Sequence, residues 1–374
     1  MNISLNSDKV NRHLKALILA GGFGTRLRPL SCTRPKTLFP VLNKPIVKWI
    51  MERLSQNNIN EVVFATNSQT AFHLKQAKIS SIRMKITYSY DPPKKPLGTG
   101  GAIKRAEKFL ADEDFLVVNG DIFADIDYSE IIKLHREKDA IATIALHHAK
   151  DPSRYGVAEL AEDGRIKFFV EKPTAWHSSQ SLINAGIYVL NPKIFSYIPK
   201  GQKVSLEREI FPILVREGKL YGYPFRGLWT DIGKIEDYLE VNKVLLEIFH
   251  KKMENTIKGG GKIIPPAICG ENTFVGKDSV IGPYAVMGRN VHVGKNVQIK
   301  NSVIFDGVSV GDSSVINGAV IGENVTIGRN VTISENCVIG DYTVIKDMVT
   351  LTKGVIVCPA KEILEDITTP KCIF

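Results

Sequence analysis

Cysteine is scarce in this 374-residue chain, and its five copies (Cys32, Cys269, Cys337, Cys358 and Cys372) are scattered and odd in number. No Cys-x-x-Cys pair occurs, so neither a disulfide framework nor a zinc site is expected. Cys32 reads as a small buried thiol rather than a nucleophile. Only two residues follow Cys372, so the prenylation pattern is not met. No apolar run approaches the roughly 18 residues that span a bilayer. Met1–Val10 lacks the hydrophobic core of a signal peptide and reads as a disordered lead-in. A cytoplasmic protein without a membrane partner is expected. Basic clusters interleaved with aromatics are also missing. The net charge is +10, yet 13 basic and 12 acidic residues from position 251 onward leave nearly all of it on the first 250. That excess is diffuse, which argues against nucleic acid and for small anionic substrates.

A hydrophobic content of 44% with 24% charged residues is that of a soluble globular protein long enough for two domains. Residues 14–250 alternate short apolar runs with helical patterns, as an α/β domain does. Strands are expected at Ala16–Ala20, Glu61–Thr66, Lys85–Tyr90, Phe115–Asn119 and Ile141–His147. More follow at Gly156–Leu160, Ile166–Val170, Ile183–Leu190 and Leu220–Phe225. Helices are expected at Pro45–Asn57, Gly100–Leu110 and Ile235–His250. Residues 251–266 read as a linker, because Lys258-Gly-Gly-Gly-Lys262 and Pro265-Pro266 break regular structure. Over 267–360 aliphatic residues recur every six positions, from Val275 through Ile299, Ile316 and Ile333 to Val357, with two one-residue slips. Glycine often follows them, as in Ile321-Gly322. About fifteen hexads make about five triangular coils, which resembles the left-handed parallel β-helix of hexapeptide-repeat proteins. Residues 361–374 form a C-terminal tail.

The most informative stretch is Leu19-Ala-Gly-Gly-Phe-Gly-Thr-Arg-Leu-Arg-Pro-Leu-Ser-Cys-Thr-Arg-Pro-Lys36. A glycine-rich turn leaves the carboxyl end of a buried strand, where open α/β sheets bind ligands. Gly21, Gly22 and Gly24 let backbone N–H groups close on an anion. Arg26, Arg28, Arg34 and Lys36 add positive charge, so the loop suits a polyphosphate. Thr25-Arg26 stands where a Walker A loop needs Lys followed by Ser or Thr. Leu27 stands where a dinucleotide fingerprint needs its third glycine. The whole string is similar to the signature of the sugar-1-phosphate nucleotidylyltransferases.

Four further segments match that family in order: Leu97-Gly-Thr-Gly-Gly-Ala102, Phe115-Leu-Val-Val-Asn-Gly-Asp121, Arg154-Tyr-Gly156 with Val170-Glu-Lys-Pro173 and Asn184-Ala-Gly186, and Leu228-Trp-Thr-Asp-Ile-Gly233. The resemblance implies a Rossmann-like domain with a mostly parallel central sheet, followed by the β-helix. It implies nucleotide binding by Gly21, Gly22, Gly24, Thr25, Gly98 and Thr99. Gly98 and Thr99 open a helix whose glycines would let a base lie against the backbone. Sugar-phosphate binding falls to Gly156, Glu171, Lys172 and Asn184. Asp121, at a strand end, and Asp231, at the family's downstream position, would hold Mg²⁺ against the α-phosphate. Arg26 would neutralise the leaving pyrophosphate and Lys36 the phosphate region, with no general base. His147-His148 reads as structural, Asp125 and Asp127 as surface residues, and neither Trp49 nor Trp176 occupies a justified stacking position.

The expected substrates are a nucleoside triphosphate and a sugar 1-phosphate. The form Pro-Leu-Gly-Thr-Gly-Gly-Ala resembles guanylyltransferases, and the tail resembles mannose-1-phosphate guanylyltransferases that carry one. Heptose-1-phosphate guanylyl transfer and glucose-1-phosphate uridylyl or thymidylyl transfer are alternatives. So are a non-catalytic regulatory subunit and a bifunctional acetyltransferase. Ser31 stands where the family usually has Thr, and Gly120 replaces the serine of many mannose enzymes. The β-helix is expected to join subunits into a homo-oligomer, and its one histidine, His292, to decorate an outer face.

Overall fold

The structure, a computed structural model, describes residues 14–22, 24–77, 79, 83–92, 95–149, 151–173, 181–252 and 257–374. The expected lead-in at Met1–Val10 and the loop residue Trp176 lie outside the described residues. Among the described residues no helix is long and apolar enough to cross a membrane. The chain divides into two units. One takes in the described residues through Gly22 and Ile46–Asp231, the other those of 24–45 and Ile232–Phe374.

The first unit is built on β1 (Lys15–Leu19), β2 (Glu61–Thr66), β3 (Lys85–Tyr90) and β4 (Phe115–Asn119), which lie in the order β3-β2-β1-β4 and all run parallel. β1, β2 and β4 are near-continuous apolar runs because parallel strands inside a sheet are covered on both faces, whereas the edge strand β3 is mostly half-buried. The antiparallel extension begins where β9 (Ser181–Leu190) pairs with β4. A short ladder off the main sheet joins β5 (Ile122–Ala124) to β11 (Trp229–Asp231). The other strands are β6 (Ala142–Ala149), β7 (Gly156–Leu160), β8 (Ile166–Glu171) and β10 (Leu220–Pro224). Helix α1 (Ile46–Gln56) buries Ile46, Val47, Ile50, Met51 and Leu54, the face its periodicity predicts. The expected helix at Gly100–Leu110 begins earlier and breaks in two, as Gly98–Arg105 and Glu107–Leu110.

In the second unit, strands of two or three residues stack into three parallel sheets of seven, six and seven strands. Successive coils repeat after 16 to 18 residues, as in Ile281↔Ile299, Ile299↔Ile316 and Val357↔Ile373. All the aliphatic positions read from the hexads, Val275 through Val357, lie in one buried cluster. This arrangement fits the left-handed β-helix expected. Its strands run further than the hexad pattern. Ile257–Gly259 and Lys262–Ile263 fall in the stretch read as a linker, and Glu362–Ile363 and Cys372–Ile373 fall in the stretch read as a tail. Gly261 explains the misreading: a Cβ there would lie 2.2 Å from Val275 Cγ1, so this glycine serves coil packing rather than flexibility.

Candidate active site

In the first unit Gly21 and Gly22 follow the carboxyl end of β1, and Asp121 follows that of the adjacent parallel strand β4. Gly120 N–H donates to Leu19 O at 2.9 Å, which ties the start of the Asp121 turn to the end of β1. The β5–β11 register sets Asp231 opposite Ile122. Asp121 immediately precedes β5, and Asp231 ends β11 opposite the first residue of β5. The segment before Asp231 is held firmly. Asp125 N–H donates to Leu228 O at 2.7 Å, and Trp229 Nε1 donates to Ala185 O at 2.9 Å. His147 meets Gly227 O at 3.0 Å and stacks on Trp229, so it is structural as expected. Burial holds its imidazole below the usual value, against the opposing effect of the Gly227 carbonyl. Asp125 and Asp127 are exposed. Asp125 pairs with Arg53, and Asp127 caps the helix Tyr128–Glu137.

The sugar-side residues also converge. Gly156 and Glu171 are register partners on β7 and β8, and a Cβ on Gly156 would sit 2.8 Å from Glu171 Oε2. A Cβ there would also press on the Phe169 ring, at 2.6 Å from its Cζ. Lys172 has a left-handed backbone (φ 52°), and its Nζ lies 3.5 Å from Glu171 Oε1. Burial and then the nearby Glu207 carboxylate raise the Glu171 pKa, while Lys172 opposes them. Asn184 is turned into its own strand: its Oδ1 accepts from Gly186 N–H at 2.8 Å and its Nδ2 donates to Tyr188 Oη at 3.1 Å. The β9 register shifts between Asn184 and Tyr188, an irregularity that re-aims side chains.

Sequence reasoning missed the residue that joins these parts. Glu207 is 9% exposed and accepts from Thr99 Oγ1 and Ser205 Oγ at 2.7 Å and from Tyr188 Oη at 3.2 Å. It lies in a π-helical turn, Leu206–Ile210, of the kind often found at functional sites. Its signal was the run Ser205-Leu-Glu-Arg-Glu209, in which Ser205 caps the turn. Thr99 is thereby oriented by Glu207 and by Leu206 N–H. The N–H groups of Gly100 and Gly101 both donate to Val204 O. A Cβ on Gly98 would lie 2.5 Å from the same oxygen. These glycines serve first to pack the helix start against residue 204.

Asp91 is a second residue the motifs did not show. It follows β3, and a Cβ on Gly21 would lie 2.9 Å from its Oδ2. Its buried Oδ1 has no hydrogen-bond partner. Burial pushes its carboxyl up to about 6, with Arg105 opposing.

The rest of the signature loop belongs to the second unit. Gly24 adopts the left-handed conformation (φ 59°) that opens the turn Thr25–Leu27, and Ser31 Oγ donates to its carbonyl at 2.8 Å. Ser31 thus supplies the hydroxyl expected of threonine there. A Cβ on Gly24 would lie 3.5 Å from Lys36 Cβ, so the lysine stem passes close beside it. Thr25, Arg26 and Arg28 are exposed. Cys32 is exposed too, contrary to the buried thiol expected, because the turn Leu30–Cys32 spends its inward position on Leu30. His292 lies on an outer face, stacked on Phe274 at 4.8 Å.

Residues 15–248 match the nucleotidyl transferase family, and residues 263–373 match the GMPPB C-terminal domain. A probable mannose-1-phosphate guanylyltransferase 2 from Oryza sativa subsp. japonica is 35% identical over 71% of this chain and 73% of its own. The mannose-1-phosphate guanylyltransferase catalytic subunit beta of Danio rerio is 35% identical over 69% and 74%. Among solved structures, HddC from Yersinia pseudotuberculosis superposes with a TM-score of 0.54 at 29% identity, over 62% of this chain and 99% of that one. A putative glucose-1-phosphate thymidylyltransferase from Bacillus anthracis gives 0.56 at 26% identity, over 62% and 94%. With its parallel sheet, its glycine loop and a family match that spans most of its length, this chain belongs to the nucleotidyl transferase family.

Proposed function

We propose that this protein transfers a guanylyl group from GTP to mannose 1-phosphate, forming the nucleotide-sugar and pyrophosphate. The observation that carries this reading is the family match over residues 15–248, together with mannose-1-phosphate guanylyltransferases at 35% identity among the relatives; the β5–β11 ladder, which pairs Asp231 with the residue after Asp121, is compatible with it. Enzymes of this family generally use divalent metal ions. Asp121 and Asp231 would hold Mg²⁺, which takes one or two carboxylates alongside phosphate oxygens and water. Bound there, the ion would offset negative charge at the α-phosphate. The remaining work belongs to the chain's own groups. The backbone of Gly21, Gly22, Gly24 and Thr25 cradles the phosphates, Arg26 takes up charge on the departing pyrophosphate, and Lys36 holds the phosphate region. Gly98 and Thr99 contribute to the nucleotide side. Gly156, Glu171 and Asn184 hold sugar hydroxyls, and Lys172 meets the sugar phosphate.

The attacking oxygen of the sugar phosphate is already anionic. Its bond to the α-phosphorus forms as the bond to pyrophosphate breaks in line, with no protein base. Asp91 supports guanine as the base. A carboxylate accepts from the adjacent N1–H and N2–H groups of guanine, and Asp91 presents Oδ2 beside Gly21 while its buried Oδ1 has no partner. We further propose a cytoplasmic homo-oligomer joined through the β-helix.

The test is pyrophosphate release by the purified protein with Mg²⁺ over a grid of sugar 1-phosphates and nucleoside triphosphates. The highest kcat/KM is expected for mannose 1-phosphate with GTP. Another best pair corrects the substrates, and silence from folded protein replaces catalysis with a regulatory role. Release of free thiol from acetyl-coenzyme A is not expected.

A further inference from the structure

The β-helix carries a ladder of aspartates, one of which breaks the pattern of the others. After several strands a backbone N–H donates to an aspartate one coil on: Arg289 to Asp306, Lys295 to Asp312, Glu323 to Asp341 and Arg329 to Asp347, at 2.7–2.8 Å. On two rungs the sequence reads Gly-Arg-Asn, and the arginine side chain closes on the free aspartate oxygen. Arg289 reaches Asp306 at 2.7 Å, and Arg329 reaches Asp347 at 3.0 Å. On another rung, in the same sheet as that of Arg289, the sequence reads Gly322-Glu323-Asn324. Glutamate replaces the arginine, so two acids face each other without a cation from the same rung.

The cation comes from the signature loop. Arg34 Nη2 lies 2.6 Å from Asp341 Oδ2 and 2.6 Å from Glu323 Oε2, and Thr33 Oγ1 donates to the same Asp341 oxygen at 2.6 Å. The guanidinium carbon sits 4.9 Å from the centre of the Phe305 ring. The Arg34 side chain is 17% exposed and that of Asp341 1%, whereas Arg289 and Arg329 are 62% and 67% exposed. Burial of this kind leaves the rung an uncompensated charge if Arg34 is removed. The loop is tied to the same unit at its other end. Asn43 Nδ2 donates to Met287 O at 2.7 Å, Leu42 N–H donates to Asn242 Oδ1 at 2.9 Å, and the Tyr238 hydroxyl donates to Pro40 O. Arg34 stands two residues before Lys36.

We infer that the Glu323–Asp341 rung is an acidic receptor for the phosphate-gripping loop, and that Glu323, Asp341 and Arg34 are positioning residues that act through Arg26 and Lys36. The part concerning catalysis rests on the function proposed above. The β-helix then completes the loop's geometry, in addition to any role in assembly.

Glu323→Arg tests this directly. It restores the Gly-Arg-Asn rung, so the coil keeps its own ion pair and the melting temperature is held. Arg34 loses a carboxylate and meets a like charge. Amide hydrogen exchange in residues 24–38 is expected to rise, and kcat/KM for the nucleotide to fall roughly tenfold, largely through KM. Asp347→Asn, on a rung that does not touch the loop, is the control and leaves both readouts at wild-type values. Adding Arg34→Glu to Glu323→Arg recovers part of the loss. If Glu323→Arg unfolds the protein, Arg34→Gln, with Arg34→Lys as the conservative rescue, gives the same two readouts from the loop side. Wild-type exchange and kinetics in folded Glu323→Arg or Arg34→Gln overturn the inference. Raised exchange in a protein whose wild type turns over no substrate pair supports the receptor and overturns the proposed function.

Discussion

Asp91 shows how a single side chain departs from what its neighbours in sequence suggest. Its pKa of about 6 stands above the ordinary 3.8 because burial disfavours the charged form. The folded state therefore holds the proton more tightly than the unfolded chain. That stability is full below about pH 4 and is lost as pH rises through about 6. Asp91→Asn should then be more stable than wild type at pH 7.5, by on the order of 1 kcal/mol, with the gap closing near pH 4; thermal melts across that range measure it. A protonated Asp91 cannot accept twice from guanine, so the GTP KM of wild type should rise below pH 6, and that rise should be missing from Asp91→Asn. At the proposed metal site, Asp121→Asn and Asp231→Asn should each lower kcat at least a hundredfold (about 2.7 kcal/mol) without lowering the melting temperature. Near-normal turnover at saturating Mg²⁺ in either variant removes that aspartate from the metal site.

Elements differ in how readable they were. The strands Glu61–Thr66, Lys85–Tyr90, Phe115–Asn119 and Gly156–Leu160 end where their apolar runs end, because burial on a sheet imposes its pattern locally. The hexads were equally plain, since every coil must place one aliphatic inward per side. In that stack Ile316→Ala should cost about 2–5 kcal/mol, read as a lowered urea midpoint. The irregular strand β9 was not readable. Gly186 holds φ 70°, and a Cβ there would lie 2.3 Å from Ile122 Cδ1 and 2.6 Å from Asn119 Nδ2. Gly186→Ala should push on the very ladder that carries Asp231, and so lower both kcat and melting temperature. A variant with unchanged kcat would show that β9 does not brace the proposed metal site. The π-helical turn escaped notice for a related reason: its extra residue is stabilised by what Glu207 meets elsewhere.

At the scale of the molecule, charge and repeat architecture act together. The positive excess on the first 250 residues and the exposed Arg26 and Arg28 draw in anionic substrates from solution. Raising ionic strength from 0.05 to 0.5 M should increase the nucleotide KM several-fold with little change in kcat, because the Debye length shrinks from over 10 Å to about 4 Å. The sequence alone determined the two architectures and the family signature. These rest on hydrophobic periods and turn residues that act over a few positions. Only the tertiary structure decided that Glu207 would link Thr99 to Tyr188, that Asp91 would stand beside Gly21, and that Arg34 would be held by acids 289 and 307 residues away. Such pairs depend on which coil and which strand end up adjacent. That register is set by the packing of the whole chain, so no local pattern records it.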